Sequence, residues 1–310
     1  MEKDSRIYIA GHTGLFGSTT LKYLKSLGYE NFILRTHKEL DLTRQSDVEA
    51  FFRDERPEYV FVMCGKVGGI QANNARMAEF TEDNLYMGIN IIEAAHKSKV
   101  KKLLYLGSSC MYPRKSPQPV KEEYLMQGDI EPTNEGYALA KLIGLRACAY
   151  YKHQYGDDFI SCIPANVYGP GDNFDESVSH VVPGMLKRLF DAKMNGADEV
   201  TVWGSGKPKR DFLYIGDAVR ACVMLMERYD GDEHVNIGTG LSRSIRELAE
   251  AAARVTGFQG RLVFDTSKPD GMMLRALENS KITSMGWRPE VGLEEGLRRT
   301  YDWYIDEIAE

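Results

Sequence analysis

The stretch IYIAGHTGLFG, residues 7–17, joins a short apolar run to three glycines that are each separated by two residues. Ile7–Ala10 has the unbroken hydrophobicity of a buried parallel strand, and Leu15–Ser26 has helical periodicity. Glycines between a strand and a helix let the backbone approach a phosphate, while the first N–H groups of the helix point toward it. The stretch therefore predicts a strand, a dinucleotide-binding turn and a helix, with a plain tight turn as the alternative.

Apolar runs and helical segments continue to alternate along the first half of the chain. The runs that resemble buried strands are Ile7–Ala10, Phe32–Leu34, Tyr59–Met63, Leu103–Leu106 and Phe159–Ile163. The helical candidates between them are Leu15–Ser26, Ser46–Arg53, Asn84–Ser98 and Tyr137–Tyr155. Each is long enough to cross the sheet and return the chain parallel to the previous strand. The pattern predicts an α/β fold with a doubly wound parallel sheet.

The spacing of the elements changes after residue 165, where Pro and Gly become frequent and the elements become shorter. We therefore expect a cofactor-binding domain at residues 1–165 and a smaller α/β substrate domain at residues 166–310. Part of the segment at about 213–240, including the strand Val235–Ile237, is expected to return to the first domain.

The composition of the 310 residues is that of a globular protein, with 43% hydrophobic residues and a formal net charge of −6. An acidic chain is a poor match for nucleic acid or an anionic membrane surface. The five cysteines are scattered and have no metal-ligand spacing, so no metal site is expected. No segment has the apolar length of a secretory or membrane-spanning segment, and we expect a cytoplasmic protein.

The residues after the second strand bear on the choice of cofactor. Leu34-Arg35-Thr36-His37-Lys38 has basic residues, with no acid before Glu39. An acid at this point binds the ribose 2′-hydroxyl of NAD, whereas basic groups accommodate the 2′-phosphate of NADP. The stretch favours NADP(H) over NAD; the alternative is that Arg35 and Lys38 are solvated surface charges.

Tyr137 and Lys141 are four residues apart near the start of a predicted helix, so their side chains share one face. A nearby ammonium favours phenolate, and we expect it to bring the pKa of Tyr137 toward neutrality. Ser108 follows the fourth predicted strand, at the sheet edge where such folds bind ligands. By itself, the Tyr-to-Lys spacing also arises by chance on amphipathic helices.

Ser108, Tyr137 and Lys141 together resemble the site of the extended short-chain dehydrogenase/reductase superfamily, which has a Rossmann-like fold. The run Gly107-Ser108-Ser109-Cys110-Met111-Tyr112-Pro113 resembles that of the GDP-L-fucose synthase family. Further motifs similar to that family are Lys66–Ile70, Ala72–Asn74, Glu131–Glu135, Asp172–Phe174, Ser179–Val181 and Val202–Gly206. The resemblance implies a 3,5-epimerase and 4-reductase of GDP-4-keto-6-deoxy-D-mannose that makes GDP-L-fucose, acting as a homodimer.

The resemblance also implies roles for individual residues. Cys110 takes a proton from the sugar and His180 returns one from the other face. Ser108 and Tyr137 bind the keto oxygen, and Lys141 supports the phenol and the ribose. The implied cofactor-binding residues are Gly11, His12, Thr13, Gly14, Leu15, Phe16, Gly17, Arg35, Thr36, His37, Asp41, Leu42, Leu106, Gly107, Ser109, Pro164, Ala165, Asn166 and Val167. The implied substrate-binding residues are Arg188, Trp203, Arg210 and Asp270.

Three departures from the family pattern keep alternatives open. Thr13 and His37 stand where members of that family carry arginine for the 2′-phosphate, and Met272-Met273-Leu274-Arg275 replaces a run with Thr, Pro and basic residues. A C4-reductase of a related GDP-4-keto sugar, such as a heptose or dideoxyhexose, fits the same framework, with or without epimerisation. A catalytically silent dinucleotide sensor is the alternative from another class.

Overall fold

The computed structural model describes residues 1–68, 70–175 and 179–309. Gly69, which belongs to the Lys66–Ile70 motif, lies outside the described residues, as do the side chains of Ile70, Gln71 and Ala72. The helices are α1 (Leu15–Ser26), α2 (Gln45–Glu55), α3 (Ile70–Ala75), α4 (Met77–Lys97), α5 (Glu135–Tyr155), α6 (Val181–Met194), α7 (Ile215–Arg228), α8 (Ile245–Thr256), α9 (Ser280–Ser284) and α10 (Leu293–Glu307).

Most of the strands are short, and the longest has six residues. They are β1 (Ile7–Ala10), β2 (Phe32–Ile33), β3 (Tyr59–Val62), β4 (Lys102–Leu106), β5 (Phe159–Pro164), β6 (Asn166–Tyr168), β7 (Glu199–Trp203), β8 (Lys209–Arg210), β9 (Phe212–Tyr214), β10 (Val235–Ile237), β11 (Arg243–Ser244), β12 (Arg261–Asp265) and β13 (Leu274–Arg275). The 3-10 turns lie at Ser109–Met111, Glu122–Tyr124 and Pro132–Asn134.

Six strands form one parallel sheet in the order β10-β5-β4-β3-β1-β2. From β1 the chain passes to β2 on one side of β1, and then crosses to β3 on the other side. This reversal of direction opens a crevice at the carboxyl ends of β1 and β3. Strands β1, β3, β4 and β5 are almost wholly buried, which explains their unbroken apolar runs. The predicted doubly wound α/β class is confirmed.

Two hydrophobic cores organise the chain. The first surrounds the six-stranded sheet, and the second joins α6, α8 and α10 to the parallel pair β7 and β12. The chain returns to the first core after residue 166, because β10 pairs with β5 and places Val235 opposite Cys162. Leu277 and Trp287 also pack in the first core. The division at residue 165 stays a prediction, and the first core draws on residues from both sides of it.

In the described part of the chain, no helix is both long and apolar enough to cross a membrane.

Candidate functional site

The glycine turn after β1 is a tight backbone cradle. Gly11 has a φ of +83°, and its carbonyl accepts from the Gly14 N–H at 3.0 Å. A Cβ on Gly17 would lie 2.1 Å from the Gly11 oxygen, so a larger residue there would force the turn apart. Nδ1 of His12 is buried and has no hydrogen-bond partner among the described residues. The cradle and this free ring nitrogen fit a bound phosphate group.

A cavity of about 570 Å³ opens beside this turn, at the crevice between β1 and β3. Its walls include residues that the sequence predicts as cofactor-binding, which are Gly11, Thr13, Gly14, Arg35, Thr36, His37, Asp41 and Leu42. The size and position suit the adenosine and phosphates of a dinucleotide. Leu15, Phe16 and Gly17 lie in the first turn of α1, next to the cavity.

Several side chains after β2 form ion pairs or hydrogen bonds with other residues of the chain. Arg35 forms an ion pair with Glu55. The carboxylate of Glu39 accepts from the Thr36 N–H at 2.7 Å and from the Thr36 hydroxyl at 2.8 Å, which lowers its pKa. Asp41 accepts from the N–H and hydroxyl of Thr43, which closes the turn beside the cavity. Glu39 is therefore held against Thr36, and His37 remains exposed beside the cavity.

One wall of the cavity was not predicted from the sequence. Cys64, Gly65 and Lys66 follow β3 and line it, together with Asp83 and Met87 of α4. The Lys66 ammonium lies 2.6 Å from Asp83. The position of this wall could have been inferred, because the carboxyl end of β3 lies beside that of β1. The Lys66–Ile70 stretch resembles a family motif, but the motif did not assign Lys66 to cofactor binding.

Asn84 of α4 fixes the Lys66 backbone in this wall through two side-chain hydrogen bonds. Its Oδ1 accepts from the Lys66 N–H and its Nδ2 donates to the Lys66 carbonyl, both at 3.0 Å. Six residues later, Nδ2 of Asn90 donates to the Leu42 carbonyl at 3.0 Å. Both asparagines are buried, so α4 fixes two walls of the cavity through side-chain to backbone hydrogen bonds.

Three of the predicted catalytic residues meet at the carboxyl end of β4. Ser108 caps a 3-10 turn by accepting from the Cys110 N–H at 3.4 Å. Helix α5 packs against this turn, and the side chains of Ser108 and Cys110 both affect the pKa of the Tyr137 phenol. Leu106 and Gly107 lead into this turn, and the Gly107 N–H donates to Cys162 of β5. A serine, a thiol and a phenol thus share one small region.

The expected lowering of the Tyr137 pKa is not found. Burial raises the pKa of Tyr137, and the nearby Ser108 hydroxyl only partly offsets that increase. Lys141 does lie on the same helix, but its ammonium sits 4.5 Å from the centre of the Tyr105 ring. Burial also lowers the pKa of Lys141 to about 8. The four-residue spacing predicted a shared helix face but could not predict that burial outweighs the attraction between charges.

His180 lies apart from the cluster of Ser108, Cys110 and Tyr137. It is exposed, it caps the start of α6, and no hydrogen bond among the described residues joins it to Cys110. Its charge acts on Asp172, which was not predicted as a site residue although its motif was noted. Asp172 is buried, burial raises its pKa, and its Oδ2 has no hydrogen-bond partner among the described residues.

The residues after β5 join the two cores. Asn166 donates to the Asp211 carbonyl both from its backbone N–H, at 3.0 Å, and from its side-chain amide, at 3.1 Å. The Ala165 N–H donates to Ile237 of β10 at 2.9 Å. Pro164 and Val167 lie in the adjoining strands β5 and β6. A contact between this segment and the cofactor stays a prediction.

The four predicted substrate-binding residues lie on the second core or on the strands and loops near it. Trp203 ends β7 with its side chain 63% exposed. Arg188 of α6 donates to the carbonyls of Gly184 and Thr201 at 3.2 and 3.3 Å. Arg210 of β8 is partly buried and donates to the Met272 carbonyl at 2.6 Å. The guanidiniums are thus held by backbone carbonyls.

Asp270 is attached to the loop that follows Trp203. Its Oδ1 accepts from the Ser205 N–H at 2.8 Å and its Oδ2 accepts from the Ser205 hydroxyl at 2.6 Å. These bonds lower the pKa of Asp270 and keep it ionised at neutral pH. Because both oxygens are engaged, the carboxylate fixes the position of the Trp203 loop.

Comparison with known proteins agrees with this geometry. Residues 7–238 match the family described as the NAD dependent epimerase/dehydratase family. The chain belongs to that family. It is 50% identical to GDP-L-fucose synthase 1 of Arabidopsis thaliana over 99% of this chain and 95% of the plant protein. It is 44% identical to GDP-L-fucose synthase of Escherichia coli K12, with 97% of each chain covered.

A solved structure extends the likeness to three dimensions. MlghC, described as a GDP-mannoheptose C4 reductase from Campylobacter jejuni with NADP bound, is 36% identical and superposes with a TM-score of 0.91. The match covers 98% of this chain and 99% of that protein. The fold and the dinucleotide-binding half are therefore shared with a protein that binds NADP.

Proposed function

We propose that this chain converts GDP-4-keto-6-deoxy-D-mannose to GDP-L-fucose, as a 3,5-epimerase and NADPH-dependent 4-reductase. The plant and bacterial relatives named GDP-L-fucose synthase support this over nearly the whole chain. The observation that carries the proposal is the position of Cys110 beside Ser108 and Tyr137. Reduction of a ketone needs a proton donor for oxygen, whereas a thiol is needed only if a proton must also leave carbon.

Epimerisation uses the acidity of the hydrogens on the carbons next to the keto group. Cys110 as thiolate takes the proton, the C–H electron pair moves into the enolate, and charge gathers on O4. Ser108 and Tyr137 donate hydrogen bonds to that oxygen, in the manner of an oxyanion hole. His180 returns a proton from the other face. For His180 to do so, the exposed start of α6 must lie against the bound sugar.

Reduction uses the same hydroxyl pair on the same oxygen. The nicotinamide cofactor, when bound, supplies the hydride to C4. Tyr137 donates its proton to O4 as the alkoxide forms, and the raised pKa of its buried phenol keeps that proton in place at neutral pH. Lys141 lies one turn along α5, where it supports the phenol and the cofactor ribose.

The second core holds the nucleotide. Arg188 and Arg210 offer guanidinium groups for the diphosphate, which suit the paired oxygens of phosphate. The exposed indole of Trp203 offers a flat face on which the guanine stacks. Asp270 supports that indole through Ser205.

A homodimer is part of the same proposal. Leu139, Ile143 and Tyr150 of α5 are 41–55% exposed, and Tyr86 of α4 is 51% exposed. Apolar side chains on the outer faces of two adjacent helices suit packing against a second copy. Size-exclusion chromatography with light scattering tests it, and a monomer at micromolar concentration would exclude a stable dimer.

A second candidate function is C4 reduction of a related GDP-4-keto sugar, such as a heptose or dideoxyhexose. It is favoured by the likeness to MlghC and by Met272 and Met273, which depart from the pattern of the GDP-L-fucose synthase family. These methionines lie directly before β13. Larger apolar side chains there would reshape the part of the pocket next to Arg210.

Product analysis decides between the two functions. The enzyme is incubated with GDP-4-keto-6-deoxy-D-mannose and NADPH, and the configuration of the product is read by NMR. We expect inversion at C3 and C5 and a reduced C4, and a product that keeps the D-configuration would overturn the proposal. A parallel reaction with the corresponding GDP-4-keto heptose measures preference, because a higher kcat/KM for the heptose would favour the second function.

A further inference from the structure

Lys141 is a buried cation whose ammonium faces an aromatic ring instead of a carboxylate. It is 4% exposed, and among the described residues no carboxylate forms an ion pair with it. Its ammonium lies 4.5 Å from the centre of the Tyr105 ring. Burying a charge without an anion is costly, and the negative face of an aromatic ring attracts a cation without itself carrying a charge. The contact with Tyr105 therefore bears directly on the charge of Lys141.

The titratable groups around Lys141 are held in their neutral forms. Cys64 follows β3, Cys162 lies in β5, and Cys148 lies two turns further along α5. Burial raises the pKa of Cys64 and Cys148, and a contact with a second buried thiol, together with burial, raises that of Cys162. Burial also raises the pKa of the Tyr137 phenol, one turn earlier on α5. At neutral pH none of these groups supplies an anion to balance the ammonium.

The Tyr105 ring is fixed by the sheet on one side and by two glycines on the other. Its backbone lies in β4, which pairs with both β3 and β5 in the middle of the sheet. A Cβ on Gly144 of α5 would lie 2.4 Å from the ring, and one on Gly88 of α4 would lie 3.2 Å from its hydroxyl oxygen. Gly144 is three residues after Lys141, so both lie on the helix face that covers the ring. The two glycines thus make room for the ring next to the ammonium.

We propose that Tyr105 is a positioning residue whose ring face holds the Lys141 side chain in place as an ammonium. The proposal rests on the function proposed above, in which Lys141 supports the Tyr137 phenol and the cofactor ribose. The ammonium has three donors and a positive charge, so loss of its proton would weaken both kinds of support. Tyr105 exchanges no proton with the substrate in this scheme and acts only through Lys141.

The protonation of Lys141 can be followed without using catalysis. Protein labelled with carbon-13 at the lysine Cε atoms is titrated with base, and the NMR signal of Lys141 is identified by its absence in K141M. We expect a wild-type midpoint near pH 8, and nearly the same midpoint in Y105F, which keeps the ring face. Y105L fills the site without a ring face, so the charged form loses its attraction and the midpoint should fall by about one pH unit.

A second comparison keeps the shape of the ring constant. Trifluorophenylalanine, introduced at position 105 by codon suppression, is close in size to phenylalanine, but its fluorines withdraw electron density from the ring face. Its midpoint should lie below that of Y105F by about half a unit to one unit. Circular dichroism checks that each variant folds, and this comparison decides the matter whether or not Y105L folds. A midpoint equal to or above that of Y105F would overturn the proposal.

The outcome is separable from the proposed function. Under that function, the pH at which kcat for reduction falls on the alkaline side should be lowered in the fluorinated variant by as much as the NMR midpoint. If wild-type enzyme fails to reduce GDP-4-keto-6-deoxy-D-mannose but the Lys141 midpoint still depends on the ring face, the function fails and the role of Tyr105 stands. If activity falls in the fluorinated variant while its midpoint equals that of Y105F, Tyr105 only fills space between the helices and the proposal is wrong.

Discussion

The two halves of the proposed site differ in burial and in how they are held. On the first core, Tyr137 and Lys141 are 9% and 4% exposed and sit on a helix packed against the sheet. On the second core, Trp203 is 63% exposed and is held through a loop by Ser205 and Asp270. Tyr137 and Lys141 are therefore fixed in a low-dielectric environment, whereas the proposed nucleotide contact at Trp203 is supplied from the surface.

This difference explains why one framework suits several sugars. Proton transfer depends on geometry and on pKa values that burial sets, so these residues must be rigid. Recognition of the nucleotide and sugar depends on exposed side chains and loop residues, which can change without disturbing the sheet. Substitutions should therefore alter chemistry and stability together in the first half, and affinity alone in the second.

The largest expected effect is from Tyr137→Phe. The ring still fills its buried position, but O4 loses a proton donor, so kcat for reduction should fall by about a hundred- to ten-thousandfold. NADPH binding, measured by fluorescence titration, should be nearly unchanged. Retention of more than a tenth of wild-type NADPH oxidation would show that another group donates the proton.

Lys141→Met should alter stability and activity together, in opposite directions. Burial lowers the Lys141 pKa from 10.5 to about 8, a change worth about 3 kcal/mol. The unfolded chain then binds more protons between pH 8 and 10.5, so wild-type stability should rise with pH across that window. We expect K141M to be more stable by up to about 3 kcal/mol at pH 7, with activity lost.

Urea denaturation at pH 7 and pH 10 measures this difference. The gap between K141M and wild type should shrink at pH 10, because wild-type Lys141 is then largely neutral. If the gap is the same at both pH values, burial of the ammonium is not the cause.

Tyr112→Phe should weaken the anchor of the Cys110 turn. The Tyr112 hydroxyl donates to Oδ1 of Asn236 at 2.7 Å and pairs with Nε2 of His234 at 2.8 Å, and all three residues are buried. Burial lowers the pKa of His234 to about 4, so the ring is neutral. Leaving these buried groups without the hydroxyl should cost about 1–3 kcal/mol in the free energy of unfolding. An unchanged urea midpoint would mean that the network contributes no net stability.

Trp203→Ala should have the smallest effect on the fold and a selective effect on binding. Loss of the stacking surface should raise KM for the GDP-sugar by about tenfold, with kcat and the melting temperature nearly unchanged. Trp287→Ala, at a buried tryptophan of the first core, is the contrasting control and should lower the melting temperature strongly. A W203A variant as unstable as W287A would remove the contrast between the two halves.

The sequence predicted the sheet well because buried parallel strands are short and apolar. β1 and α1 were predicted with the bounds they have, while α4 begins at Met77 rather than Asn84, since its first turns are polar and lack apolar periodicity. Arg35, Thr36 and Asp41, predicted as cofactor-binding residues, line the cavity beside the glycine turn, and their contact with a cofactor stays a prediction. These are features of local sequence.

The sequence could not predict features that depend on tertiary contacts. The Arg275 guanidinium, for example, donates to the Pro113 carbonyl, 162 residues earlier in the chain, beside the short strand β13 and the bridge between Val120 and Leu277. The raised pKa of Tyr137 depends on burial, which the spacing from Lys141 does not show. The roles of Arg188, Trp203, Arg210 and Asp270 were inferred only by resemblance and stay predictions.

The most direct test of the account is the fate of deuterium in two variants. Each is incubated with GDP-4-keto-6-deoxy-D-mannose and NADPH in deuterated water, and the sugar is analysed by NMR. If Cys110 moves the carbon-bound proton and Tyr137 the oxygen-bound one, C110S should reduce C4 without deuterium at C3 or C5. Y137F keeps Cys110 and the Ser108 hydroxyl, so it should still exchange those hydrogens, more slowly than the wild type, without reducing C4. Deuterium at C3 and C5 in the C110S sugar would contradict the account.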